Sequence, residues 1–250
     1  MARPRAREKP RLIGFPREIS AAAMLLLSGL GALALVARTP RDIVLGSLVL
    51  VVHLVTFDSA FYSIRSRDAG LFATTLLLNA TPYIIALIIT RISLGLVLVL
   101  GIALVILAIQ IIIENTLGAG SEPEYVFGAL VPVLPALTIP ALLGLVNRNT
   151  ILYWVLLSIY AVATAAYIES KLPWRNTSPR LAMLLLAPAW IVVIMRPCTS
   201  VALIEPTLRY TIEAVRPRKI ERTELKSLGR TTLARLLLFA TLSLITISTR

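Results

Sequence analysis

Residues 92–113 read ISLGLVLVLGIALVILAIQIII. The stretch holds no charged residue, and Gln110 is its largest polar side chain. As an α-helix it would extend about 33 Å at 1.5 Å per residue, enough to cross a hydrocarbon core of about 30 Å. A strand reading fails on length, since buried strands run about 4–8 residues. A membrane barrel would show alternating segments of about 10 residues, and this run does not alternate. Backbone groups surrounded by lipid must pair within their own segment, which selects a helix.

Working outward, similar runs lie at 19–36, 43–57 (continuing less purely to 64), 69–89, 125–146, 150–168, 181–195 and 231–248. The chain is 57% hydrophobic and only 15% charged over 250 residues, against about 25% charged in soluble domains. The mean hydropathy is +0.84. The sequence therefore predicts an all-α, polytopic transmembrane helix bundle. It comprises a basic cytoplasmic leader over 1–18 and a single transmembrane domain over 19–250. A basic leader followed by an apolar run can also be a cleaved signal peptide. The first run is 18 residues long, beyond the usual 7–15 of a signal core, so it reads as a retained helix.

The net charge is +12. Basic residues collect at the ends of the apolar runs, where membrane topology requires them, so the charge is assigned to the membrane and not to nucleic acid. The stretch 198–215, CTSVALIEPTLRYTIEAV, decides the crossing count. If it does not cross, the basic cluster over 216–230 falls on the outer side. If it does, 17 Lys/Arg face the N-terminal side, 6 face the other and 2 lie within spans. The expectation is nine spans, with the N-terminus cytoplasmic and the protein in the cell membrane. Eight spans plus a re-entrant segment at 198–215 is the alternative, because charged helix centres cost about 2.5–3.5 kcal/mol each. Glu205, Arg209 and Glu213 recur every four residues, so they share a helix face and could neutralise one another.

Polar groups inside the membrane are the first candidates for function. Asp58, Tyr62 and Arg65 share one face near the inner end of the second run, where they could hold the polar head of a ligand. Glu169 and Lys171 end the sixth run on the same side, and Gln110 and Glu114 end the fourth. Asp58, Glu114 and Glu169 could converge on one cavity and hold Mg²⁺ with substrate phosphates. They could equally be ordinary interfacial carboxylates. The ligand-binding candidates are thus Asp58, Arg65, Glu169, Lys171, Glu205 and Arg209. No catalytic residue stands out: there is no phosphate loop, nucleophile elbow or zinc motif. The single cysteine, Cys198, and single histidine, His53, have no metal-site spacing. Pro132, Pro135 and Pro140 in the fifth run, and Pro82 with Asn79 in the third, are expected to kink their helices.

Two stretches carry a resemblance. Pro16-Arg17-Glu18-Ile19-Ser20-Ala21-Ala22-Ala23-Met24-Leu25-Leu26 and Arg216-Pro217-Arg218-Lys219-Ile220-Glu221 resemble the first span and the last basic loop of YwiC-like membrane proteins. The layout of that family is similar to that of the UbiA prenyltransferase superfamily. The resemblance implies a UbiA-like bundle with ligand groups at the inner ends of the second and sixth helices, near Asp58 and Glu169. It also implies lipid or isoprenoid binding at the cytoplasmic face, with Mg²⁺ only if the prenyltransferase-like reading holds. The superfamily's Asn-x3-Asp-x3-Asp signature is absent, so the expectation leans away from an enzyme. A small-molecule transporter or permease, suggested by the proline-rich fifth run, and a structural or assembly membrane protein are the alternatives. Membrane lipid is the expected partner.

Overall fold

A computed structural model describes residues 12–14, 16, 19–66, 68–89, 93–118 and 121–249. Most of the basic leader, Arg67 and the side chain of Arg65 lie outside the described residues. Every regular element among those described is helical. Among the described residues, six helical stretches are long and apolar enough to cross a membrane: Ile19–Val36, Pro40–Ile64, Leu94–Leu117, Glu122–Leu142, Arg148–Lys171 and Arg222–Ser248. Two shorter apolar ones, Ala69–Ile85 and Pro179–Met195, accompany them.

The first four helices are α1 (Ile19–Val36), α2 (Pro40–Ser66), α3 (Ala69–Ile89) and α4 (Leu94–Leu117). The fourth begins where Ser93 Oγ accepts from the Leu96 amide at 3.1 Å, satisfying one of the amides a helix start leaves open. It ends at Gly118, whose φ of +87° is strained for a residue with a Cβ. Across the bundle α1 is closely packed. A Cβ at Gly31 would run into the Tyr153 ring, which is held by its hydroxyl on the Leu27 carbonyl at 3.0 Å.

The fifth apolar run is three pieces: α5 (Glu122–Gly128), a 3-10 turn (Val131–Val133) and α6 (Pro135–Leu142). Pro132 and Pro135 supply no amide hydrogen, so the chain tightens between them. The freed Pro132 carbonyl receives the Ser28 hydroxyl of α1 at 2.9 Å. A capping box of Asn147 and Thr150 starts α7 (Arg148–Lys171). The seventh run, read as one helix from sequence, is two: α8 (Pro179–Leu186) and α9 (Ala189–Met195). Pro188 separates them because it cannot donate to the ladder. After a turn at Pro197–Thr199 come α10 (Ser200–Val215) and α11 (Leu225–Ser248).

The ambiguous stretch over 198–215 is therefore helical, and its neighbours fix its direction. Arg148 and Arg196 tie the start of α7 to the end of α9, through Met195 O at 3.3 Å and Asn149 Oδ1 at 3.1 Å. At the other end of α7, Lys171 pairs with Glu213, and the Ile220 amide donates to the Lys171 carbonyl at 3.0 Å. So α10 runs beside α7 in the same direction, with its two ends at opposite faces of the bundle. The expected self-neutralising face is only half formed. Arg209 Nε lies 3.5 Å from Glu205, whereas Glu213 turns to Lys171. A cation one helix away reaches that buried carboxylate at the bundle's end, and Arg209 instead lies over tyrosine rings.

The described part of the leader is docked. The Gly14 amide donates to the Val55 carbonyl at 2.8 Å, and Ser59 Oγ donates to the Leu12 carbonyl at 2.9 Å. Both contacts lie on α2, towards the end where the basic segments gather.

Candidate functional site

A cavity of about 430 Å³ opens among α1, α2, α5, α7 and α11. It sits at the end of the bundle that carries the basic segments 171–180 and 216–230. Its polar lining includes Asp58 and Tyr62 from α2 and Glu124 and Tyr125 from α5. Further lining comes from Tyr160 and Thr164 of α7, Pro132 of the proline turn, and Thr232 and Leu236 of α11. Asp58 and Tyr62 share this wall because four residues make about one helical turn, as do Tyr160 and Thr164. The walls are otherwise apolar, with Met24, Phe57 and Phe61 among them.

Behind the α7 wall lies a buried cation. The Arg209 guanidinium stacks over Tyr167 at 4.8 Å and Tyr210 at 4.5 Å, positions favoured by the negative ring faces. Its Nη2 donates to the Tyr210 hydroxyl at 2.9 Å, and that hydroxyl shares a hydrogen bond of 2.8 Å with Thr164. Arg209 thus lies behind the cavity wall, linked to it through Tyr210 and Thr164 and lying beside Tyr160. The Tyr160 hydroxyl, beside Arg209 and Thr164, and the Thr232 hydroxyl make no hydrogen bond of good geometry. Glu205 sits farther out, shared between Arg209 and Arg235, the latter at 3.1 Å.

Of the six ligand-binding candidates read from sequence, Asp58 lines the cavity, and Arg65 has its backbone on α2 below Tyr62. Glu169 does not line it: it pairs with Arg175 at 2.7 Å, and Arg175 lies 5.5 Å over the Tyr125 ring. It therefore acts on the wall from behind. Lys171 is committed to Glu213, and Glu205 and Arg209 lie outside the lining. Glu114 is buried on α4, and Gln110 covers Gly128 at the back of the same wall. Of the three carboxylates that could have converged, Asp58 lines the cavity whereas Glu114 and Glu169 do not, and Glu124 of α5 is the second carboxylate in its lining. Among the described residues, no three His, Cys, Asp or Glu side chains come together to hold a metal ion. A diphosphate bound through two Mg²⁺ needs more carboxylates than these walls supply, so the residues do not fit that group.

Sequence reasoning missed Glu124, Tyr125, Tyr160, Thr164 and Thr232. The polar pair Tyr160 and Thr164, one turn apart in an apolar run, was the signal available for two of them. Glu124 read as a loop residue, yet it is 1% exposed in the first turn of α5.

A second cavity of about 370 Å³ lies on the other side of the broken helix, among α2, α3 and α4. Val131, Leu134, Pro135 and Thr138 form part of its wall. Phe57 and Phe61, whose rings are 4.8 Å apart, line both cavities. Compared with protein-family models, with curated proteins and with solved structures, the chain matches none.

Proposed function

We propose that the chain is an integral membrane protein of nine crossings that binds an amphiphilic membrane lipid or isoprenoid in the larger cavity. The polar head would sit between Asp58, Tyr62, Glu124 and Tyr125, and the apolar part against Met24, Pro132 and Leu236. One observation carries this reading: a single cavity joins a ring of carboxylates and phenols to an apolar interior. Pockets for small molecules combine apolar walls with a few placed polar groups in this way. The direction of α10 supports the crossing count. Its 16 residues extend about 24 Å, and the turn before it lengthens the path. With nine crossings, the positive-inside rule puts the cavity mouth on the cytoplasmic side. The UbiA-like layout is retained as a proposal for the fold, without its diphosphate chemistry.

The test is retention of lipid by the purified chain. Native mass spectrometry after delipidation in mild detergent should find a bound amphiphile on the unaltered chain. Ala165→Trp, which fills the cavity from α7, should lose it, and Asp58→Asn should weaken it. EDTA should leave it in place. Equal retention by the Ala165→Trp chain would sink the reading, and Mg²⁺-dependent binding of a polyprenyl diphosphate would restore the metal-dependent alternative.

A further inference from the structure

We infer that the second cavity is a separate binding site for an uncharged lipid alcohol, an isoprenoid or phenolic molecule whose hydroxyl meets the side chains around His53. The cavity opens sideways from the bundle. Leu76 and Ile84 of α3 and Leu104 of α4 line it and are also exposed on the outer apolar face. In the nine-crossing arrangement that face meets lipid. Among the described residues no charged one lines this cavity, so a charged head group would enter it without a counter-ion from them, at heavy desolvation cost.

The walls are nonetheless not purely apolar. His53 and Thr56 of α2, Asn79 and Tyr83 of α3, and Thr138 of α6 meet on them. Thr56 and Asn79 satisfy each other, with Asn79 Nδ2 donating at 2.8 Å. Tyr83 gives its one proton to Thr138 at 2.8 Å. His53 Nε2 lies 3.3 Å from the Tyr83 oxygen, and the Val49 carbonyl lies beside the same imidazole. A neutral imidazole carries one proton, so whether Nε2 gives it to Tyr83 or Nδ1 gives it to Val49, the other ring nitrogen is an acceptor to which neither neighbour gives a proton. A buried acceptor without a donor is costly. Helix-to-helix packing alone would be served by the Thr56–Asn79 and Tyr83–Thr138 pairs and gives His53 no purpose. A hydroxyl entering from the cavity supplies the missing donor once the imidazole turns about χ2, a broad torsion for histidine. The ring pairs His53–Tyr83 and Phe57–Phe61 offer faces for an unsaturated or aromatic body.

The full chain in lipid nanodiscs should bind farnesol saturably above empty nanodiscs. Farnesyl methyl ether has the same tail without a hydrogen to donate, and should bind about five- to tenfold more weakly. His53→Leu should remove that preference. Ala103→Trp, which blocks the cavity from α4 without touching the polar group, should abolish saturable binding. Ala165→Trp in the larger cavity should leave it unchanged, so this site and the one proposed above fail independently. Equal binding of alcohol and ether, or an unaltered preference in His53→Leu, would overturn the inference. So would the absence of saturable binding.

Discussion

At the scale of single residues, the most consequential contact is the Lys171–Glu213 pair, with each residue under 10% exposed. Glu213 also accepts from the Arg218 amide at 2.8 Å, so one carboxylate joins α7, α10 and the basic loop. Removing one member of a buried pair leaves the other charged and uncompensated, which costs about 3–5 kcal/mol. Glu213→Ala should therefore lower the unfolding free energy in detergent by about that much. The double replacement Lys171→Met with Glu213→Leu should recover most of the loss, because a buried pair exchanged for apolar side chains is often neutral. A double variant no more stable than Glu213→Ala would show that the contact is not what holds this end together. The pairing was not legible in the sequence. The four-residue spacing of Glu205, Arg209 and Glu213 suggested a closed set on one helix, and only packing brought a lysine from α7 into reach.

At the scale of elements, the broken fifth span shows how proline shapes the interior. Pro132 and Pro135 leave carbonyls without their usual amide partners, and in an apolar surrounding such a group must find another donor. Ser28 of α1 supplies it. Its hydroxyl is fully buried and shared between the Leu25 and Pro132 carbonyls, each at 2.9 Å. Ser28→Ala should lower stability by about 1 kcal/mol, read as a lower midpoint of thermal unfolding in detergent. An unchanged midpoint would mean that the proline turn is held by side-chain packing alone. The break also separates the two cavities, since Pro132 of the turn lines the larger one, whereas Val131 and the start of α6 line the second. The kink here was legible from three prolines in one apolar run. The break at Pro188 was not, because a single proline near the middle of an apolar run is compatible with a bent, continuous helix.

At the scale of the whole molecule, the question is which side of the membrane each basic segment occupies. With Cys198, exposed at its position before α10, replaced by serine, a cysteine at Lys219 offers one reactive thiol in the loop after α10. Nine crossings place that loop with the N-terminus. A membrane-impermeant maleimide should then label Lys219→Cys only after cells are permeabilised. Labelling of intact cells would put the loop outside, remove the α10 crossing, and turn the mouth of the larger cavity into a question again.

The linear order of residues determined that this chain is a helical bundle built from long apolar segments. Hydropathy, run length and the need for backbone groups in lipid to pair locally are properties of consecutive residues. It also placed Asp58 and Tyr62 on a common face, since helical spacing is local. Tertiary packing decided which groups meet across helices: Glu124 lines the cavity while Glu169 is held behind it by Arg175, and Arg209 lies under tyrosine rings. Spacing along one helix fixes directions but not distances between helices, and the chemistry of a cavity depends on those distances.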